Sequence, residues 1–159
     1  MAKVHIVKRA RKDIPGTNIK KGNLYYWWKF PYGSKQISEL PPRPSQLTQS
    51  EFMSTLLSCM ESIEDLDVND WDEVQSTRES VVTELCQLRD DTDDKLNNMP
   101  ESLQQGPTGE LLQNRIDEVG TLVDELEAMD LDVEVGDDDD VSDREAALEE
   151  LKGVSYNGE

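Results

Sequence analysis

Asn23-Leu24-Tyr25-Tyr26-Trp27-Trp28-Lys29-Phe30-Pro31-Tyr32-Gly33-Ser34-Lys35-Gln36-Ile37-Ser38 decides the architecture of the N-terminal part of the chain. Residues 23–30 are dense in aromatic side chains that suit a pleated surface. Period two places Leu24, Tyr26, Trp28 and Phe30 on one face, with Tyr25, Trp27 and Lys29 on the other. Pro31 to Ser34 reads as a four-residue turn, and Lys35 to Leu40 returns as a second strand. A lone hairpin is marginal in water, so the pattern calls for a third strand, and Val4–Lys8 is the candidate. The loop between them contains Pro15-Gly16 and Lys20-Lys21-Gly22.

Working outward, charge divides the chain. Residues 1–45 carry ten Lys and Arg against two acids, Asp13 and Glu39, whereas 46–159 carry six against 33. The balances are +8 and −27, and the whole chain of 159 residues is at −19. Such asymmetry points to two ends with different partners. Leu40-Pro41-Pro42-Arg43-Pro44 favours an extended, stiff connection, so residues 1–45 read as one module with a proline-rich linker at 41–44.

The acidic half reads as helical. Thr48-Gln49-Ser50-Glu51 matches a capping box and opens a helix within 46–68. Its Phe52, Leu56, Cys59, Met60 and Ile63 fall along one side and would cover the sheet. Asn69 is the expected cap of a long second helix. Its steps of three and four run through Trp71, Val74, Arg78, Val81, Leu85, Leu88, Thr92, Lys95 and Met99, with Arg78, Thr92 and Lys95 as interruptions. Pro100 and Gly106-Pro107 break the chain. A further helix to Met129 carries Leu112, Ile116, Val119, Val123 and Leu126. The short connection predicts an antiparallel helical hairpin over 69–129, with a homo-oligomeric coiled coil as the alternative use of so polar a seam. Residues 130–159 read as a strand-like alternation, an acidic loop, a short helix capped by Ser142 and ended by Gly153, and a loose tail from Val154. The predicted fold class is α+β, mostly α: a small antiparallel N-terminal sheet followed by an acidic antiparallel helical hairpin.

Composition excludes several functions. Hydrophobic residues make up 35% and mean hydropathy is −0.70, and no run approaches the roughly 20 apolar residues of a spanning helix. Met1 to Lys12 has no apolar stretch of the secretory type. With Cys59, Cys86 and His5 the only thiols and imidazole, no zinc cluster or Cys-His nucleophile is built. The expected thiols are free and buried or half-buried. The run Asp137–Asp140 lacks the spacing of a calcium loop and reads as solvated. Acid pairs such as Asp90/Asp91 and Asp93/Asp94 lie on polar helix surfaces, with no apolar pocket to raise a pKa. The expectation is a non-enzyme without metal or cofactor.

Two resemblances extend this reading. "GNLYYWWKFPYGSKQIS" at 22–38 resembles the small sheet of phage integrase arm-binding and AP2-type domains, and the likeness implies DNA binding. "KKGNLYYWWKFPYGSKQISELPPRPSQLTQSEF" at 20–52, with "NMPESLQQGPTGELLQNRID" at 98–117, resembles an uncharacterised family of small tailed-bacteriophage proteins. That likeness implies a host bacterial cytoplasm or a virion, and carries no known site residues.

The residues themselves point to an adaptor. Lys20, Lys21, Tyr25, Trp27, Lys29 and Lys35 interleave rings with cations, as nucleic acid requires: Lys neutralises phosphate and flat rings stack on bases. Trp27 is expected to stack, and Trp28 to be core. Asp90, Asp91, Asp93, Asp94 and Asp137, Asp138, Asp139, Asp140 are the candidate surface for a host or phage protein. The alternatives are an acidic inhibitor that imitates DNA toward a host nucleic-acid-processing or defence protein, and a virion or scaffold spacer.

Overall fold

The computed structural model describes residues 1–129, 131 and 140–156. The chain divides into two compact units, Met1–Ser58 and Cys59–Glu159.

In the first unit, β1 (His5–Val7), β2 (Tyr25–Lys29) and β3 (Lys35–Ser38) form one antiparallel sheet in the order β1-β2-β3. β2 is central. His5 pairs with Trp27 and Val7 with Tyr25 on one side; Trp27 pairs with Ile37 and Lys29 with Lys35 on the other. Strand alternation does what the sequence predicts. Trp28 is buried at 5% exposure, while Trp27 is half-buried on the opposite face. Burial of the indole requires a partner for its N–H. Nε1 donates to the Gln46 carbonyl at 3.1 Å, in a 3-10 turn at Pro44–Leu47.

That bond moves the module boundary. The expected limit at 45 is too short, because the chain beyond the prolines is tied back. Ala2 N donates to Leu47 O at 2.7 Å, and Ser54 Oγ donates to Ser45 O at 3.0 Å. Pro44 does not forbid helix here, since it occupies the first helical position, where its missing N–H costs nothing. α1 (Glu51–Glu64) starts later than expected. Ser50, not Thr48, caps it: Ser50 Oγ accepts from Met53 N, while Thr48 Oγ1 is engaged by Ser50 N. Phe52 and Leu56 on α1 join Ala10, Ile19 and Trp28 as the buried apolar residues of this unit.

In the second unit, α2 (Trp71–Asn97) is capped by Asp70, whose carboxylate accepts from Glu73 N at 3.1 Å. Asn69, the expected cap, instead donates its side-chain amide to Asp67. The Asn69 backbone N–H first, and then its side-chain amide, hold the Asp67 carboxyl below its usual value. α3 (Glu101–Gln104) fills the predicted break, and α4 (Pro107–Ala128) follows Gly106 with Pro107 at its first position. The backbones of α3 and α4 meet at Gly109, where any Cβ would lie 1.9 Å from the Gln104 carbonyl oxygen.

α2 and α4 run antiparallel as predicted. Val81, Leu85, Leu88 and Thr92 are buried on α2, and Leu112, Val119, Leu122, Val123 and Leu126 on α4. The seam that could have served a second copy is thus buried within the chain. It departs from the reading in three places. Leu122 is buried where Ile116 is only half-buried; Lys95 is exposed beside a half-buried Leu96; and Arg78 is no interruption. Its Nε donates to Leu126 O at 2.7 Å, and its Nη2 to Glu127 O at 2.8 Å and Met129 O at 3.4 Å.

α5 (Asp140–Gly153) begins before Ser142, so the expected cap lies inside the helix. Leu148 and Leu151 are buried, and Lys152 Nζ donates to Leu66 O at 2.6 Å. The tail is not loose as far as Tyr156, which is half-buried. The alternation proposed for 130–136 lies outside the described residues, apart from Leu131.

Arg78 generates a test. Arg78→Ala should destabilise the second unit by about 2–3 kcal/mol, because it strips a charged fork from helix-end carbonyls. Arg78→Lys should recover less than half, since an ammonium cannot fork. Exposed Glu79→Ala should stay within about 0.5 kcal/mol. Equal melting curves for Arg78→Ala and Glu79→Ala would remove the Arg78 clasp from the account.

Candidate nucleic-acid interface and acidic helices

The face of the sheet opposite Trp28 is built around Trp27. β1 and β3 flank β2, so side chains from both can close on the indole. From β1, the His5 ring stacks on it with centroids 4.2 Å apart and planes 10° from parallel. From β3, Lys35 Nζ sits 4.2 Å from the indole centroid, a cation–π contact. Lys29 is the direct cross-strand partner of Lys35. Like charges directly opposite on one face disfavour a sheet, so this register sets two cationic residues against each other. Tyr25 opposes Val7 on the same face.

Tyr25, Trp27, Lys29 and Lys35 are therefore brought together as the sequence predicts. Lys20 and Lys21 are exposed but lie in the β1–β2 loop, beyond the opposite end of β2 from Lys29. The indole of Trp27, half-buried, carries both the His5 ring and the Lys35 ammonium. Two residues escaped the sequence reading. His5 could have been found only by fixing the β1–β2 register. Tyr32, in the β2–β3 turn, is fully exposed, and a large aromatic at a turn tip was the available signal.

On α2, Asp90, Asp91, Asp93 and Asp94 are all exposed. At 100° per residue they span one broad arc, and Thr92 points the opposite way. Thr92 is buried, its Oγ1 donating to Leu88 O at 2.7 Å, so the acids face away from the seam. They are only locally engaged: Asp90 with Arg89 at 3.3 Å, Asp91 with Gln87 at 2.9 Å, Asp93 with Asn97 at 2.9 Å. Exposed pairs of this kind contribute little and leave the surface field negative. Asp137, Asp138 and Asp139 lie outside the described residues, as does the side chain of Asp140. Among the described residues no cluster of three or more His, Cys, Asp or Glu could hold a metal ion, and no helix is long and apolar enough to cross a membrane.

Two protonated groups sit inside the second unit. Cys59 is buried with its Sγ 3.4 Å from Glu84 Oε2; burial first, then the carboxylate, pushes the thiol up to about 12. Cys86 is free and half-buried. Tyr156 is likewise raised to about 12 by burial and by Glu118, with Arg115 opposing. Neither group is poised as a nucleophile at neutral pH. No protein family matches the chain, and no curated protein or solved structure is similar to it.

The raised values fix a pH dependence. Each group keeps its proton in the folded state above the pH at which the unfolded chain loses it. Their contribution is therefore complete below about pH 8.5, the unfolded thiol value, and is lost as pH rises toward 12. Melting temperature should fall across this window. Cys59→Ala should flatten the fall from its onset, and Tyr156→Phe the part above about pH 10. Melting profiles that stay parallel to wild type in both variants would contradict these environments.

Proposed function

We propose that the protein is a non-enzymatic adaptor, with a sheet that binds nucleic acid or a nucleoprotein and acidic helices that engage a basic protein surface. The observation that carries the reading is the Lys29–Lys35 pair, opposed on the same face as the bracketed Trp27. Two ammonium groups held across a strand pair are relieved by an anion between them, and a phosphate has the charge and the oxygens to bond both. All ten Lys and Arg of residues 1–45 are exposed, so the surrounding field has the same sign. The exposed acids of α2 support the second arm, since a strongly negative helix face steers toward a cationic partner. The resemblance to tailed-bacteriophage proteins supports a host cytoplasm or virion as the setting.

Full-length protein should bind labelled nucleic acid in fluorescence anisotropy at about 50 mM salt and lose affinity steeply by about 200 mM. Lys29→Ala with Lys35→Ala should weaken binding at least about tenfold at low salt, with an unchanged melting temperature as the control. If wild-type protein binds no DNA or RNA at low salt, the sheet does not bind nucleic acid. The acidic helices would then carry the function, as in the inhibitor reading.

A further inference from the structure

The β1–β2 connection is a built element rather than a slack loop. Beyond β1, Ala10 N donates to Asn23 O at 2.8 Å and Gly22 N returns to Ala10 O at 2.9 Å, which continues the antiparallel pairing. Further out, Ile14 N donates to Ile19 O at 3.0 Å, and Asp13 Oδ1 accepts from Lys21 N at 2.7 Å. Two β-turns shape it. Thr17 N donates to Ile14 O around Pro15-Gly16, and Asn23 N donates to Lys20 O around Lys21-Gly22. Both place glycine third, with φ of 79° at Gly16 and 98° at Gly22, a conformation that side chains with a Cβ rarely adopt. Ile19, at 1% exposure, and Ala10 are buried and anchor the element in its unit. Arg9, Arg11, Lys12, Lys20 and Lys21 are all exposed on it.

The geometry points to a second phosphate-binding element, which rests on the nucleic-acid reading above: we infer that this basic finger and the Lys29–Lys35 pair together hold one nucleic-acid duplex by its phosphates. Asn23, at the base of the finger, is six residues along the chain from Lys29, about 20 Å of extended backbone, and the cations of the finger lie beyond that base. A reach of that order is longer than a single nucleotide and corresponds to several phosphate steps along one strand of a duplex. Binding of single strands without sequence preference relies on rings that stack on successive bases. Here the indole of Trp27 already carries the exposed His5 ring and Lys35 Nζ, and Tyr32, fully exposed, lies in the β2–β3 turn, so the rings do not form an open row for successive bases. Contact through phosphates alone favours the ligand of higher charge density, which is the duplex. A rigid finger and a rigid sheet at fixed spacing also suit a stiff ligand, because little must be ordered on binding.

The test uses the full-length chain and labelled 20-residue oligonucleotides: DNA duplex, RNA duplex and the matching single strands. One duplex should bind at least about tenfold more tightly than its single strand, and the DNA and RNA arms decide which duplex it is. Lys20→Glu with Lys21→Glu should lower duplex affinity by about tenfold or more. It should also reduce the slope of log affinity against log salt by about 1.8, the value for two phosphates. Lys20→Gln with Lys21→Gln should act in the same direction by a smaller factor, and unchanged melting would show that the finger remains folded. Single strands that bind as tightly as duplexes would overturn the inference, as would finger variants that leave duplex affinity and salt slope at wild-type values; either leaves the Lys29–Lys35 reading standing. Absence of any nucleic-acid binding by wild type would overturn both.

Discussion

One guanidinium closes the C-terminal end of α4. The last turn of that helix contains no Lys or Arg of its own, and Glu125 and Glu127 stand where the helix dipole disfavours acids. Arg78 supplies from α2 the positive charge and the donors that the end requires, bonding the carbonyls of Leu126, Glu127 and Met129. Hydrogen bonds of this charged type contribute about 1.5–3 kcal/mol, against about 0.5–1.5 for neutral ones. The direction of α2 against α4 follows, because Arg78 lies near the start of one helix and its acceptors at the end of the other. The chain that leaves α4 is held by the same face of α2. Trp71 Nε1 and Gln75 Nε2 both donate to Leu131 O, at 3.2 and 3.0 Å. Residues 71, 75 and 78 are steps of four and three, so one helical stripe holds the carbonyls of Leu126, Glu127, Met129 and Leu131.

The apolar seam was legible because its signal is local: Val81, Leu85 and Leu88 recur at helical spacing whatever lies opposite. Arg78 falls in that same rhythm and was read as an interruption. Its role depends on where another helix ends, which no period in α2 encodes. The sheet was legible for the same reason as the seam, since alternation alone separates Trp28 from Trp27. Cap identity was not. Thr48 and Ser50, or Asn69 and Asp70, are equally able to accept a backbone N–H, and the neighbouring turn decides which is free to do so. Gly109 gave no signal either, because close approach of two backbones is visible only once both are placed.

The candidate interface shows the same division. That Trp27, Lys29 and Lys35 would share a face followed from period two and one turn. That the His5 ring stacks on the indole required His5 to be paired in register with it. The finger was hidden for a different reason. Its turn residues were visible as Pro15-Gly16 and Lys21-Gly22, but a loop with turns is ordered only if something anchors it. The anchor, Ile19, is one of two isoleucines in a polar stretch, with no period to mark it as buried.

Charge segregation ties stability to the proposed function. The first unit has a small apolar core, with five buried apolar residues on its strands, loop and helix, and three-stranded sheets of this size stand close to the limit of independent stability. Its cations repel one another, most directly at Lys29 and Lys35. A polyanion bound to the folded form alone removes that repulsion, and by linkage stabilises the unit by RT ln(1 + [L]/Kd), about 2.7 kcal/mol at a hundredfold excess over Kd. Under the proposed function, the repulsion that weakens the free sheet is what selects a ligand of opposite charge. The second unit obeys the opposite logic. On α2 the carboxylates of Asp90, Asp91, Asp93 and Asp94 are exposed on the side away from the seam, and Arg78 and Lys152 bond main-chain carbonyls. Carboxylates exposed in this way leave the surface field of α2 negative, which under the proposed function is what a basic partner would meet.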